Sequence, residues 1–450
     1  MRSIAFRRCV ALVAAGLSVP LACRAQAPAP YPMGRELPAF EAPASADAAP
    51  ADAVTEPTGV LRLADALAAA LLRNPELAAD AYEVRAREAA LVQAGAFPNP
   101  TVLLELEDFA GSGAFRGVRS AQTTLLLGQL VELGGKRTAR LALAAADRDL
   151  AAWDYEMRRI DVLVRTADEF VDVLAGQERL RLADEALVLA HSMQRVASLR
   201  LRAGIASPAE EIRAGVLVDV AGVEREHAEH ELATARQALA AVWAGEEPRF
   251  DRAEGALERL PEIPSTTELG KRLEASPSVA RWQAELVRRA ALRERATSDR
   301  VPDVTLTAGP RRLSGPGDTA LVVGVALPLP LWNRHRGAVA EAEHRIAKLA
   351  AEARAARVRS ATDLAAARVG LQASSEEAHL LRTRVLPGSE RAVEAMQRGY
   401  EQVRFAQIEV LDAERAHLAA REEYLRALTE AHHSAQQIER LTGVPLEVRP

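Results

Sequence analysis

Aromatic side chains make up only 4% of the 450 residues, and the only cysteines, Cys9 and Cys23, both lie near the N-terminus. The rest of the chain therefore has no disulfide framework and no thiolate metal site. No apolar run beyond the N-terminal region reaches the roughly 18 residues that a membrane-crossing helix needs. A net charge of -5 supplies no global basic field, which argues against nucleic acid as a partner. Catalytic signatures are missing too, with no zinc-peptidase helix and no nucleophile elbow. Gly134-Gly135-Lys136 looks like the end of a phosphate loop, but Leu130 stands where its first glycine belongs and Arg137 where a hydroxyl residue belongs. It reads as a strand-to-helix junction. His227 with His230, and His432 with His433, lack the i, i+4 spacing and carboxylate pattern of a tetrahedral site and read as surface helix histidines. The sequence thus implies no enzyme, no cofactor and no resident metal.

What is present is an alanine-rich hydrophobic content of 49%, suited to long, closely packed helices. The chain opens on Arg2, Arg7 and Arg8 followed by an apolar run from Val10 to Ala22, the pattern of a secretory signal over residues 1–25. Cleavage after Ala25 is one reading of this segment. Lipidation at Cys23 is the other. Residues 26–59 form an extended Pro/Ala-rich lead.

An internal repeat organises the remainder. Asn74-Pro75 and Ser276-Pro277 each set a capping residue before a first-turn proline. Pro75, Pro100, Leu67, Leu71 and Val102 recur as Pro277, Pro302, Leu269, Leu273 and Val304, at a constant offset of 202. Such self-similarity marks two copies of one unit. The first spans 60–250 with a β-hairpin at 100–133, and the second spans 265–443 with a hairpin at 302–331. A linker at 251–264 joins them, and 444–450 is a tail. Each copy reads helix, strand, strand, long helix, return helix. Each long helical pattern, from Lys136 to about Arg202 and from Arg334 to about Gln402, would reach ~100 Å. Pro387-Gly388 is expected to kink the second without ending it.

In the second hairpin Val304, Leu306 and Ala308 alternate with Thr305, Thr307 and Gly309, and Leu321, Val323, Val325, Leu327 and Leu329 alternate with smaller residues. Strands of about ten residues with one apolar face suit an outer-membrane-type barrel. Four strands cannot close one, whereas three copies supply twelve, so the expected fold is mainly α with a membrane β-barrel. In that fold, long antiparallel helices form an α-barrel tunnel and four strands per protomer enter a 12-stranded trimeric barrel. A soluble β-sandwich flanked by coiled coils is the alternative reading.

The runs Gln129 to Arg137, Pro302-Asp303-Val304 through Leu327-Pro328-Leu329-Pro330-Leu331, and Ile438-Glu439-Arg440-Leu441-Thr442-Gly443 resemble TolC-type outer-membrane efflux proteins. Within that group the sequence is most similar to the cobalt-zinc-cadmium (CzcC-type) branch. The resemblance implies a homotrimer in the outer-membrane lipid of a Gram-negative cell with a long periplasmic extension. It also implies a periplasmic adaptor (membrane fusion) protein and an inner-membrane resistance-nodulation-division (RND) pump as partners. The implied function is the duct of a tripartite efflux system for heavy-metal cations. The alternatives are the same duct serving drug efflux or type I protein secretion, and a periplasmic structural coiled coil without a pore.

A duct needs a gate and a docking end, so the helix-hairpin tips are the candidate sites. Glu409 and Asp412, spaced i, i+3, share one helix face. The resemblance puts the periplasmic gate carboxylates there, where a constricted anionic ring attracts cations. A solvated acidic face is the alternative. The resemblance also implies that Glu210 and Tyr400 link the two hairpins. Arg202, Gly204, Ile205, Ala206, Ser207, Val403 and Phe405 are the expected adaptor-contacting tips. Gly204 and Val403 are equivalent, and Val403 departs from the glycine usual at this turn. Phe405 stands where relatives often carry a basic latch residue.

Overall fold

The computed structural model describes residues 56–402 and 404–446. The signal, Cys23, nearly all of the lead, Val403 and the last four residues of the tail lie outside the described residues. The first repeat comprises β1 (Gly59–Arg62), α1 (Leu63–Arg73), α2 (Pro75–Ala94), β2 (Thr101–Glu107), β3 (Gln122–Val131), α3 (Lys136–Arg202) and α4 (Pro208–Val242). β4 (Phe250–Glu254) then pairs in parallel with β1. The second repeat comprises α5 (Thr266–Glu274), α6 (Pro277–Ser298), β5 (Val304–Leu313), β6 (Thr319–Ala326), α7 (Arg336–Leu380), a π-helical turn (Leu381–Val385), α8 (Leu386–Glu401) and α9 (Gln407–Thr442).

Local chemistry sets the boundaries. Asn74 Oδ1 accepts from the Leu77 N–H (2.9 Å), capping α2, while its Nδ2 donates to the Val242 carbonyl (2.7 Å) and ties that cap to the end of α4. Ser276 holds the matching position before α6, but its hydroxyl meets Ser278 Oγ at 2.9 Å and makes no backbone cap. β6 ends at Ala326, short of the Leu329 expected from alternation, because Pro328 and Pro330 cannot donate to a ladder. The expected kink at Pro387-Gly388 is a π-helical turn just before it. Pro387 lacks an N–H, and the widened turn lets the helix continue into α8.

The four-stranded antiparallel sheet has the order β2-β3-β5-β6. Its register sets Val102 opposite Leu127, Leu127 opposite Ala308, and Ala308 opposite Val323, all on one face. Leu104, Leu306 and Val325 share that face and, like Val102, Leu127 and Val323, are exposed. The other face carries Glu105, Glu107, Thr124, Thr305, Thr307, Arg311 and Gly324. There Arg311 Nε donates to Thr124 Oγ1 (2.9 Å), and its Nη2 lies 3.5 Å from Glu107 Oε2. β3 and β5 approach closely at Gly309, where a Cβ would run into the Leu125 carbonyl oxygen. Only glycine fits there. Among the described residues β2 and β6 pair on one side only and leave open edges.

The sheet joins the helices through residues from both repeats. Gly134 and Gly135 adopt left-handed φ values of 68° and 75°, and a Cβ on Gly134 would lie 2.6 Å from Val301 Cβ. Lys136 Nζ then meets Asp303 Oδ1 at 2.7 Å, and the Leu133 N–H donates to the same oxygen (3.1 Å). Arg140 closes the junction with a two-pronged pair to Glu132.

α3, 67 residues long, is the spine. It packs against α2 and α6 near the sheet, against α4 in its own hairpin, and against α9 of the second hairpin. α9 packs in turn against α7 and α8. A belt at mid-height, where β1 and β4 lie beside α1, α3 and α4, buries Leu61, Phe170, Val173, Trp243 and Phe250. Burying each large side chain there contributes about 1.5–3 kcal/mol.

Candidate gate at the helix-hairpin tips

α3 ends in a Schellman motif. The Ile205 N–H donates to the Arg200 carbonyl (3.0 Å) and the Gly204 N–H to the Leu201 carbonyl (2.9 Å), with Gly204 at φ 75°. The second tip closes on the equivalent outer bond, from the Arg404 N–H to the Gly399 carbonyl (2.8 Å). The two hairpins thus share this closing bond. Phe405 lays its ring on Gly399, so closely that a Cβ there would overlap the ring. Phe405 thereby helps to close its own turn.

Glu210 and Glu409 occupy the same position, third in the return helices α4 and α9. Their partners differ. Glu409 Oε2 accepts from the Ala406 N–H (2.8 Å) and so caps α9, and its side chain stays exposed, as does Asp412 one turn on. Glu210 Oε1 lies 3.3 Å from Arg200 Nε, an ion pair within its own hairpin. No Glu210–Tyr400 hydrogen bond is formed among the described residues, so within one chain the first hairpin keeps Glu210 to itself. Arg202, Gly204, Ile205 and Ser207 are exposed, Ala206 is half-buried, and Phe405 is 40% exposed.

The two tips meet. A cavity of about 300 Å³ lies between them, lined by Met193, Ala197, Arg200, Glu210 and Leu217 of the first hairpin and by Ala406, Ile408 and Leu411 of the second. Ser198 Oγ donates to Glu211 Oε1 (2.6 Å) and braces the first hairpin just above.

A second charged region lies higher, where α9 crosses α3. Arg440 Nε meets Asp161 Oδ1 at 2.8 Å, His433 Nε2 lies 3.2 Å from Asp172 Oδ1, and Arg421 pairs with Glu185. Burial pushes the Asp168 carboxyl up to about 6, and it pushes Glu439 up to about 7 although Glu439 accepts the Leu446 N–H (2.7 Å). The Asp172 carboxylate, through its hydrogen bond, raises His433. Burial lowers His432, whose Nε2 lies 2.9 Å from the Leu257 carbonyl oxygen. His432 and His433 are therefore half-buried interface residues and not the surface histidines expected, whereas His227 and His230 are exposed. The missed signal was the seven-residue recurrence of acidic Asp161, Asp168 and, nearby, Asp172 along one side of α3. Among the described residues no group of three or more His, Cys, Asp or Glu side chains could hold a metal ion.

The sequence pattern of outer membrane efflux proteins matches residues 66–245 and again 269–444, once for each repeat. The chain belongs to the outer membrane efflux protein family. It is 36% identical over 388 residues to the cobalt-zinc-cadmium resistance protein CzcC of Cupriavidus metallidurans, covering 86% of this chain and 91% of that protein. To the nickel-cobalt-cadmium resistance protein NccC of Alcaligenes xylosoxydans it is 28% identical, over 67% and 69% of the two chains. Solved structures share the fold. CusC superimposes with a TM-score of 0.72 at 16% identity, covering 85% of this chain and 92% of that one. A membrane protein from Pseudomonas aeruginosa does so at 0.71 and 19%, covering 85% and 90%. The mainly helical, two-repeat architecture with its four-stranded sheet is thus that of an outer membrane efflux protein, a transport component.

Proposed function

We propose that this chain is the outer-membrane duct of a tripartite efflux system that exports heavy-metal cations. The observation that carries the reading is the β2-β3-β5-β6 sheet, with one exposed apolar face, one polar face and two open edges. Open edges are not tolerated in lipid, and three copies joined edge to edge supply an even, closed set of twelve strands. Heavy-metal cargo is supported by the 36% identity to CzcC across nearly its whole length.

In this reading Glu409 and Asp412 form stacked carboxylate rings at the periplasmic gate, attracting cations to the constriction. Arg202, Gly204, Ile205, Ala206, Ser207, Val403 and Phe405 meet a periplasmic adaptor, which connects to an inner-membrane RND pump. Glu210 and Tyr400 link hairpins of the closed duct once Glu210 leaves Arg200. The test is growth of a deletion strain across zinc, cobalt, cadmium and nickel salts, complemented by the intact gene. Metal sensitivity restored by complementation supports the assignment, and sensitivity to drugs alone would move the cargo elsewhere.

A further inference from the structure

The strand register stacks the apolar face of the sheet in rows. The row through Val102, Ala308 and Val323 is apolar throughout, as is the next, through Leu104, Pro310 and Leu321. The last row before the strand-connecting loops is Leu106, Thr123, Arg312 and Thr319. Arg312 thus puts a charge on a face otherwise given to apolar side chains. Its neighbour Arg311 points to the polar face, where Thr124 and Glu107 hold it. Arg312 is exposed and has no hydrogen-bond or ion-pair partner among the described residues. A charge at a lipid-facing strand position is costly at the bilayer midplane, and the cost fades toward the interface. Arg312 therefore marks the level at which the apolar face meets headgroups.

The adjoining loop carries the same chemistry. Residues 108–120 fold on themselves: the Ala110 N–H donates to the Gly117 carbonyl (2.8 Å), the Gly111 N–H to the Phe115 carbonyl (3.0 Å), and Ser120 Oγ to the Ala114 carbonyl (2.6 Å). That closure leaves Phe109, Phe115 and Val118 exposed, together with Arg116 and Arg119, which also have no partner among the described residues. The loop lies against the second one, where the Ser314 N–H donates to the Ala121 carbonyl (2.9 Å) and a Cβ on Gly315 would lie 3.4 Å from the Arg119 carbonyl oxygen. Arg116, Arg119 and Arg312 thus gather at one end of the sheet. The carboxylates of that end do not pair with them. Glu107 faces Arg311, Asp108 accepts from Gln122 Nε2 (2.6 Å), and Asp318 lies on the second turn.

We propose that Arg116, Arg119 and Arg312 bind the phosphates of a phosphorylated glycolipid in the outer leaflet of the membrane, with Phe109, Phe115 and Val118 resting on its acyl chains. Guanidinium groups match phosphate in geometry and hold their charge at any physiological pH. Apolar side chains beside them favour the edge of an anionic lipid layer. The helices leave the sheet at the opposite end, at Lys136 and Arg336, so the loops face the cell exterior in the outer-membrane reading above, on which this site rests.

The test uses the full chain purified in mild detergent and follows its thermal unfolding as bisphosphorylated lipid A is added. The parental chain is expected to gain several degrees, with no gain from inorganic phosphate at the same concentration and little from dephosphorylated lipid A. Arg116→Gln, Arg119→Gln and Arg312→Gln together should weaken the apparent lipid A affinity by roughly tenfold, and Lys at the same three positions should recover most of it. Arg359→Gln, Arg384→Gln and Arg391→Gln, exposed positions of the helical region, should together leave it at the parental value. A parental affinity in the first triple variant, or an equal response to dephosphorylated lipid A, overturns the site. An equal response to phosphatidylglycerol assigns it to anionic lipid in general and overturns the glycolipid. Membrane fractionation separates this from the duct reading. A parental chain absent from the outer membrane overturns both, whereas one found there with a lipid A response that survives the three substitutions overturns the site alone.

Discussion

Lys136 Nζ lies 2.7 Å from Asp303 Oδ1, joining the start of the long helix in the first repeat to the start of the first strand in the second. Asp303 also accepts the Leu133 N–H, so its loss leaves two donors unpaired where Lys136 leaves one acceptor. Lys136→Met is expected to cost about 1 kcal/mol and Asp303→Ala about 2–3 kcal/mol, read as thermal unfolding by circular dichroism in detergent. Equal losses would mean that the Leu133 contact contributes nothing.

Gly309 and Gly324 make a sharper pair. A Cβ on Gly309 meets the Leu125 backbone, which cannot give, whereas one on Gly324 meets Thr307 Oγ1, which can rotate away. Gly309→Ala should sharply reduce the protein recovered from the outer-membrane fraction, and Gly324→Ala should leave it near the parental amount.

The proposed gate role of Glu409 and Asp412 can be separated from their structural duties. Glu409→Gln keeps an oxygen for the Ala406 N–H and removes the charge, while Glu409→Ala removes both and should cost about 1 kcal/mol in helix capping. Combined Glu409→Gln and Asp412→Asn is expected to weaken divalent-cation block of single channels in planar bilayers. Unchanged block and conductance would rule out the ring.

Stability should fall as pH rises from about 5 to 8. Glu439, raised to about 7, and Asp168, raised to about 6, keep protons in the folded chain that the unfolded chain has released. Folding therefore takes up protons, so stability is highest below the ordinary carboxylate range and declines as pH passes the folded values. His433, raised by Asp172, has the same sign, and His432, lowered by burial, opposes them. Glu439→Gln should flatten the pH profile of thermal unfolding. A profile that keeps its slope would assign the effect to other groups.

Much of the architecture was legible because it repeats. The offset of 202 that links Pro75 to Pro277 carries the same first-turn proline and hairpin pattern twice, although only Asn74 makes the cap, and period-two alternation in Val304 to Ala308 is a strong local signal. The ends of β6 and the π-helical turn were harder to read, since both depend on where a proline withdraws a donor. The α3–α9 cluster was hidden for a different reason. Asp168 and His433 are 265 positions apart, and their burial follows from how two hairpins lie together, which single-helix periodicity does not encode. Glu210 likewise reads as a hairpin-linking partner of Tyr400 until Arg200 is seen across the turn.

The π-helical turn at Leu381–Val385 has a consequence for the spacing of the second hairpin. Above it Leu364, Leu371 and Ala378 are buried at steps of seven, and below it Leu386, Val393 and Tyr400 are half-buried at the same step. The two series are out of phase by one residue, and the widened turn absorbs the surplus. One helix thereby faces the same neighbour, α9, on both sides of an inserted residue. Deleting a single residue from Leu381–Val385 would restore an ordinary helix and merge the two series into one, leaving Tyr400 and the second tip facing as before, whereas a residue added below the turn with no second widened turn to absorb it would swing everything beneath it by about 100°.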